Sequence, residues 1–320
     1  MIRNIEEKII AGGVMSLDDA IAVASVQGPE LLELFASSNR IRRKFRGDSA
    51  DLCSIINAKS GACPEDCHYC AQSSKSSAQI KTFPLLEKNV VIEKALEAKG
   101  GGARRFCIVT SGRKVSAGEL DLIALMINEI RAAGLLPCAT LGLLSEDELK
   151  LLKSSGLERF HHNIETSEKF FPEICSTHTY HDKMETIEAV KSSGLSLCSG
   201  GIFGLGESWQ DRIDMAFALR EIGPDSVPIN FLTPIKGTRL GSREPLAPMD
   251  ALKVISLFRF VMPDREIRVC GGRLQTLGEL NSFIFFAGAD GLLIGNYLTT
   301  LGRGYEDDLR LLGQMGIRLS

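Results

Sequence analysis

At 320 residues, with 44% hydrophobic and 24% charged side chains, the chain can bury a substantial core and is too apolar to be disordered. A net charge of -3 gives no electrostatic reason to expect a nucleic-acid partner, which directs attention to a small molecule. No apolar run is long enough to cross a bilayer, and residues 1–20 carry scattered charges without an apolar h-region, so a cytoplasmic location is expected, in which the nine cysteines stay reduced.

A helix is predicted over 15–36, with Ser16 as its cap ahead of Leu17-Asp18-Asp19. From there short apolar runs alternate with helix-like segments. Strands are predicted near 52–57, 105–110, 137–142, 159–165, 195–203, 226–232, 266–271 and 291–295. Ser116 to Glu119 and Ser145 to Glu148 have the spacing of capping boxes, while Gly134, Gly156 and Gly194 stand where helices should stop. Eight strand–helix units over about 250 residues predict an α/β fold of the (β/α)8, TIM-barrel type. One domain is expected, with an N-terminal helical extension over 1–50, the barrel over 51–302 and a C-terminal helical segment over 303–320. An open doubly wound sheet is the alternative, because local patterning does not prove closure.

After the first predicted strand comes GACPEDCHYC, in which Cys63, Cys67 and Cys70 have C-x3-C-x2-C spacing. Three thiolates on one loop can hold three irons of a 4Fe-4S cube and leave the fourth iron open. A structural zinc site would bring four ligands in two separated halves, and a disulfide framework belongs to small secreted domains. Cys107, Cys138, Cys198 and Cys270 each fall inside a different predicted strand, so a barrel can bring them to one cavity. Taken singly, each also reads as an ordinary buried thiol. Cys53 and Cys175 have no partner at ligand spacing and are read in that plain way.

From about Leu52 to Leu301 the chain resembles the biotin synthases, a family of the radical S-adenosylmethionine superfamily. The resemblance rests on GACPEDCHYC, RFC at Arg105 to Cys107, C-x-TLG at Cys138 to Gly142, and HN-x-ET at His162 to Thr166. It continues in CSGGIFGLGE from Cys198 to Glu207, SVPIN from Ser226 to Asn230, and R-x-x-GGR from Arg268 to Arg273. What it implies is insertion of sulfur into dethiobiotin to close the ring of biotin, started by a radical drawn from S-adenosylmethionine at the open iron. Tyr69 and Ile202 would then enclose the adenine, Asn163 would touch cofactor and substrate, Glu165 would hold the ribose hydroxyls, and Asn230 would meet the ureido ring. Asn163 and Glu165 are two apart on the predicted fourth strand, which puts them on one side. Gly101-Gly102 either approaches the methionyl amine or stops a helix.

In the family an auxiliary 2Fe-2S cluster, held by three strand cysteines and an arginine, supplies the sulfur; Cys107, Cys138, Cys198 and Arg268 match those positions. Here Cys270 lies two residues beyond Arg268, on the same side and about 6 to 7 Å nearer the mouth. Four thiolates suit a 4Fe cluster better than an arginine does, so a 4Fe auxiliary cluster is favoured over 2Fe-2S. His161 and His178 differ from residues expected in some relatives. Another radical barrel, such as a hydrogenase-cofactor maturase or an amino-acid mutase, is the alternative function. A lipoyl synthase would need a second cysteine-rich motif, and none precedes Cys53; an electron carrier would need no open iron. The resemblance further implies a flavodoxin or ferredoxin-type electron donor and a homodimer.

Overall fold

The computed structural model describes residues 1–299 and 302–320, so Leu301, where the resemblance ends, lies outside the described residues. Parallel strands β1 (Ser49–Lys59), β2 (Arg105–Thr110), β3 (Leu136–Thr140), β4 (Arg159–His161) and β5 (Ser196–Cys198) follow one another around a sheet. They are continued by β6 (Gly201–Phe203), β7 (Ser226–Phe231), β8 (Glu266–Val269) and β9 (Gly291–Leu293). β9 pairs back onto β1 through Asp51 with Gly291 and Cys53 with Leu293, which closes the barrel and rules out the open sheet. A short β10 (Arg318–Leu319) adds to the start of β1.

The predicted fifth strand, 195–203, is two short strands in the barrel. β5 pairs with β7 at Cys198, the chain bends at Ser199-Gly200, and β6 then pairs further along β7. The predicted fourth strand, 159–165, ends as a regular strand at His161; beyond it Glu165, in the left-handed region at φ 68°, keeps only an isolated bridge to Gly201. The predicted helix 15–36 is likewise divided, into α2 (Leu17–Ala24) and α3 (Glu30–Arg46), preceded by α1 (Ile2–Ile10). Gly28 at φ 58° followed by Pro29 makes the break.

Outer helices α4 (Lys88–Gly100), α5 (Ala117–Ala132), α6 (Glu146–Ser154), α7 (Tyr180–Ser193), α8 (Trp209–Ile222) and α9 (Pro248–Val261) surround the strands. Ser116 caps α5 and Ser145 caps α6 through reciprocal bonds with Glu119 and Glu148, as their spacing predicts. Gly194 ends α7 at φ 71°, and Gly134 and Gly156 follow α5 and α6 at φ 83° and 98°. Gly101 and Gly102 end α4 against Tyr305 and Leu309 of α11 (Tyr305–Gln314), where the helix-stopping role suffices. α9 is buried from Ala251 to Val261, because α2, α3 and α8 cover the side turned away from the strands. Among the described residues no helix is long and apolar enough to cross a membrane.

Two fully buried arginines fasten the C-terminal part of the barrel. Arg259 of α9 donates to Asp290 Oδ1 at 2.5 Å and to the carbonyls of Gly288, Pro263 and Arg265. Asp290 also accepts from Arg46 Nε at 2.6 Å and from Ile267 N at 2.8 Å, so one carboxylate joins α3, α9, β8 and the residue before β9. Arg273, the last residue of the R-x-x-GGR motif, donates to Asp308 of α11 at 2.8 Å and to Asn281 at 3.0 Å. Removing the acid from such a pair strands a buried cation, at a cost of roughly 3–5 kcal/mol. Asp290→Ala is therefore expected to lower unfolding free energy by about that amount in urea titrations; a loss below about 1 kcal/mol would show that Arg259 keeps enough carbonyl partners without it.

Candidate active site

The cysteine loop leaves the C-terminal end of β1, the end at which a barrel of this kind carries its chemistry. Ala62 adopts φ 52° to start the turn, and the loop is then tied to itself: Cys63 N donates to Gln72 O at 3.1 Å and Ser74 N donates to Cys63 O at 2.8 Å. Cys70 N donates to Cys67 O at 3.0 Å, and Ser73 Oγ to Glu65 O at 2.5 Å. A second tie runs to the segment after β4. His68 N donates to Ile174 O at 2.9 Å, and Asp66 accepts from Ser176 N at 2.8 Å and Thr177 N at 3.2 Å. Burial tends to raise the Asp66 carboxyl, yet these donors hold it well below the usual range. Cys63, Cys67 and Cys70 are all unbridged and half-buried. Three soft donors tied on one short loop are the donor set that a cube with one open iron takes, and in this structure Cys67 Sγ lies 3.9 Å from Cys175 Sγ.

Beside that loop a cavity of about 360 Å³ runs down into the barrel. Its upper wall contains Tyr69, Asn163, Glu165, Ile202 and Asn230, so the structure brings together every residue that the resemblance assigns to cofactor or substrate. Tyr69 and Ile202 also pack into one apolar cluster with Phe171 and Leu205. Asn163 and Glu165 lie beyond the end of β4, so strand alternation is not what aims them. Instead Gly200 N donates to Asn163 Oδ1 at 3.1 Å, Asn163 Nδ2 donates to Glu165 Oε2 at 3.3 Å, and Ile202 N donates to Glu165 O at 2.8 Å. This junction requires glycine. A Cβ on Gly201 would stand 2.2 Å from Glu165 O, and one on Gly200 would stand 2.0 Å from Pro228 O. Lys183, 3.7 Å away, balances the Glu165 carboxylate. Asn230 donates to Gly201 O at 3.1 Å and accepts from Gly271 N at 3.0 Å, leaving one amide proton for a ligand.

The lower wall is lined by five thiols: Cys53, Cys107, Cys138, Cys198 and Cys270. Cys107 and Cys138 face each other in register across β2 and β3, and Cys198 Sγ lies 3.3 Å from His161 Nδ1. Cys270 stands one residue past the end of β8. Burial pushes Cys107 and Cys53 well up, Cys138 to about 11 and Cys270 to about 12. Burial likewise lowers His161 to about 4, which keeps that imidazole neutral. Thiols in this state bind a metal only by losing their protons to solvent.

Beneath the thiols lies an ionic floor. Arg268 pairs with Asp51 and Glu266, and donates to the carbonyls of Asp51 at 3.1 Å and Leu292 at 3.2 Å. Arg159 reaches Glu266 at 3.4 Å, and Arg105 lies 3.5 Å from Asp51. Three buried guanidinium groups thus share two carboxylates, with the exposed Arg104 also 3.5 Å from Asp51, and Nε and Nη1 of Arg105 are buried without a hydrogen-bond acceptor. Burial tends to raise the Glu266 carboxyl, but Arg268 and Arg159 hold it well below its ordinary value. The excess of positive charge and the unpaired donors suit an anionic group above them, as a thiolate-ligated iron–sulfur cluster is.

Reading residues alone missed Cys53, Arg105 and Arg159 in this wall. Cys53 does lie inside the first predicted strand, as the other four lie in theirs, and that was the available signal. Cys175 likewise has partners that its spacing does not reveal: Cys67 Sγ at 3.9 Å and His178 Nδ1 at 3.2 Å.

Residues 58–219 match the family model of the radical SAM superfamily, and residues 228–318 match the biotin and thiamin synthesis associated domain. A biotin synthase from Thermodesulfovibrio yellowstonii is 53% identical over 90% of this chain and 91% of its own. One from Pelobacter propionicus is 46% identical over 97% and 95%. Among solved structures, a methylornithine synthase superposes with a TM-score of 0.87 over 99% of this chain and 97% of its own. The hydrogenase maturase HydG of Carboxydothermus hydrogenoformans gives 0.84 over 99% and 78%. At 18% and 17% identity these two establish the barrel and nothing finer. Extensive identity along almost the whole length, together with both domain matches, makes this chain a member of the biotin synthase family of radical SAM enzymes.

Proposed function

We propose that sulfur is inserted into dethiobiotin in the cavity described above, with Cys63, Cys67 and Cys70 holding the radical-generating 4Fe-4S cluster. We further assign Cys107, Cys138, Cys198 and Cys270 to a 4Fe auxiliary cluster that provides the sulfur. The observation carrying this reading is one continuous cavity with nucleoside- and amide-binding groups near the mouth and thiols below them. The chemistry supplied there is reductive cleavage of the S-adenosylmethionine sulfonium to a 5'-deoxyadenosyl radical, which removes hydrogen from unactivated carbon.

The chain's own residues hold and shield the reactants. Tyr69 and Ile202 offer apolar faces to the adenine. Glu165, an acceptor already oriented by Asn163, takes the ribose hydroxyls. Asn163 stands between cofactor and substrate, and Asn230 gives its remaining amide proton to the ureido carbonyl. Val109, Leu293 and Leu298 line the deeper wall and exclude water from a carbon radical. Arg268 serves electrostatics here: both its terminal nitrogens are committed to oxygen acceptors, whereas Cys270 keeps a thiol on the wall. A low-potential flavodoxin or ferredoxin-type donor, a cytoplasmic setting, a homodimer and a single domain over 1–320 complete the proposal.

Anaerobic incubation with dethiobiotin, S-adenosylmethionine and a low-potential reductant is expected to yield biotin and 5'-deoxyadenosine; 5'-deoxyadenosine without biotin would contradict the substrate assignment. Mössbauer spectra with iron and sulfide counts are expected to show a four-iron auxiliary signal that changes in Cys270→Ala. Two auxiliary irons, or a signal indifferent to that substitution, would return the fourth position to Arg268. Glu165→Gln should weaken S-adenosylmethionine binding about 10- to 100-fold, the equivalent of roughly 1.5–3 kcal/mol for hydrogen bonds to a charged group. Equilibrium binding to the reconstituted protein measures it, and a change under about 2-fold would remove Glu165 from the ribose.

A further inference from the structure

We infer that Cys67, Cys175 and His178 form a second, mononuclear metal site that takes one divalent first-row transition ion when the radical cube is not yet built, and that competes with the cube for Cys67. The ligand atoms of these three residues lie within 4.8 Å of one another, and Cys175 and His178 are buried. Cys67 Sγ is 3.9 Å from Cys175 Sγ. Metal–sulfur bonds of about 2.3 Å and metal–nitrogen bonds of about 2.0–2.1 Å in a tetrahedron place sulfurs about 3.8 Å apart and sulfur and nitrogen about 3.6 Å apart. The thiol pair matches the first of these edges. Because Glu65 holds Nδ1 of His178, Nε2 is the ligating nitrogen, and its 3.8 Å from Cys175 Sγ comes close to the second.

What surrounds the three donors fits a metal site as well. Glu65 Oε2 lies 2.5 Å from His178 Nδ1 and fixes the ring, the arrangement in which a carboxylate orients a ligating imidazole. Arg113 lies 3.5 Å from Glu65, and Phe171 packs edge-on against the imidazole. Asp66 stands 3.3 Å from Cys175 but is not a fourth ligand. Its oxygens already accept from the backbone of Ser176 and Thr177 and from both their hydroxyls, so it shapes the turn that presents Cys175. Three protein ligands with an open fourth position make a site that exchanges its ion, unlike a closed structural one. Two thiolates and one imidazole select zinc or ferrous iron chemistry over calcium or magnesium.

Sharing of Cys67 gives the site its consequence. A thiolate aimed at Cys175 and His178 does not at the same time bind a cube corner beside Cys63 and Cys70, so the two occupancies exclude each other. Ferrous iron held here stands next to the loop where the cube is assembled, and zinc held here blocks that assembly. The inference rests on the proposed function only in giving Cys67 to the cube, and not on dethiobiotin or on the auxiliary cluster.

Anaerobic titration of the cluster-free, full-length chain with Co2+ tests it, comparing wild type with Cys175→Ala, His178→Ala and Cys63→Ala. One equivalent of Co2+ with tetrahedral d–d bands and thiolate charge transfer is expected to be lost in Cys175→Ala and His178→Ala and kept in Cys63→Ala. Far-UV circular dichroism and melting of each variant separate a lost ligand from a lost fold, and Cys175→Ser repeats the test with the volume nearly preserved. One equivalent of Zn2+ should bleach the same signal and slow later iron and sulfide incorporation at least 10-fold in wild type but not in Cys175→Ser. A cobalt spectrum indifferent to Cys175 and His178, or lost equally in Cys63→Ala, overturns the site. Retention of the Cys175-dependent cobalt signal with no zinc effect on incorporation would overturn the sharing of Cys67 alone.

Discussion

Three guanidinium groups over two carboxylates at the base of the barrel are the constraint on which the rest of the structure depends. Arg268 joins Asp51 on the first strand to Glu266 on its own strand, and Arg159 joins Glu266 from the fourth side of the barrel. The same contacts therefore hold the closing strands together and leave the floor with more guanidinium groups than carboxylates. Buried ion pairs of this kind cost desolvation and are poor sources of stability. Their value here is the field they set up. Above them five thiols are buried in surroundings that disfavour thiolate; Arg268 works in the opposite direction for Cys53 and Cys270, and Arg159, ahead of Arg268, does so for Cys138 and Cys198. A cluster ligated by thiolates carries the negative charge that this floor lacks.

The mouth of the same cavity is organised by backbone and not by charge. Glu165 is one of two residues other than glycine with positive φ among the described residues, and the other, Ala62, opens the cysteine loop. Both sit where a strand ends and a ligand-bearing turn begins, the place where strained backbone is tolerated because its surroundings hold it. Gly201 lets β6 approach the turn after β4, and Gly200 lets the bend before β6 approach β7, to distances no side chain would permit. Thus the groups of the upper wall and the thiol wall are positioned by different physics, on the same few strands.

Much of this was legible in the residues. Apolar runs of strand length at regular intervals located all eight barrel positions, and the spacing of Cys63, Cys67 and Cys70 singled out the loop that lies beside the cavity. What was not legible depends on contacts distant in sequence. Alternation put Asn163 and Glu165 side by side for the wrong reason, since the strand stops at His161 and a left-handed residue does the aiming. The break at Ser199-Gly200 was hidden because 195–203 reads as one apolar run, and only pairing with β7 divides it. Cys175 lies more than a hundred residues from Cys67, and nothing in local spacing joins them; the turn held by Asp66 does. Arg105 and Arg159 look like ordinary strand-start cations until the barrel closes and turns them inward.

The central claim is that the three-cysteine loop leaves one iron free to bind a small molecule directly beside this cavity. Electron–nuclear double resonance on the reduced, reconstituted protein, with S-adenosylmethionine carrying 15N in its amino group and 17O in its carboxylate, measures that contact most directly. The account predicts resolved hyperfine coupling from both labels to the cluster. Reduced cluster with bound S-adenosylmethionine and no coupling from either label would contradict it.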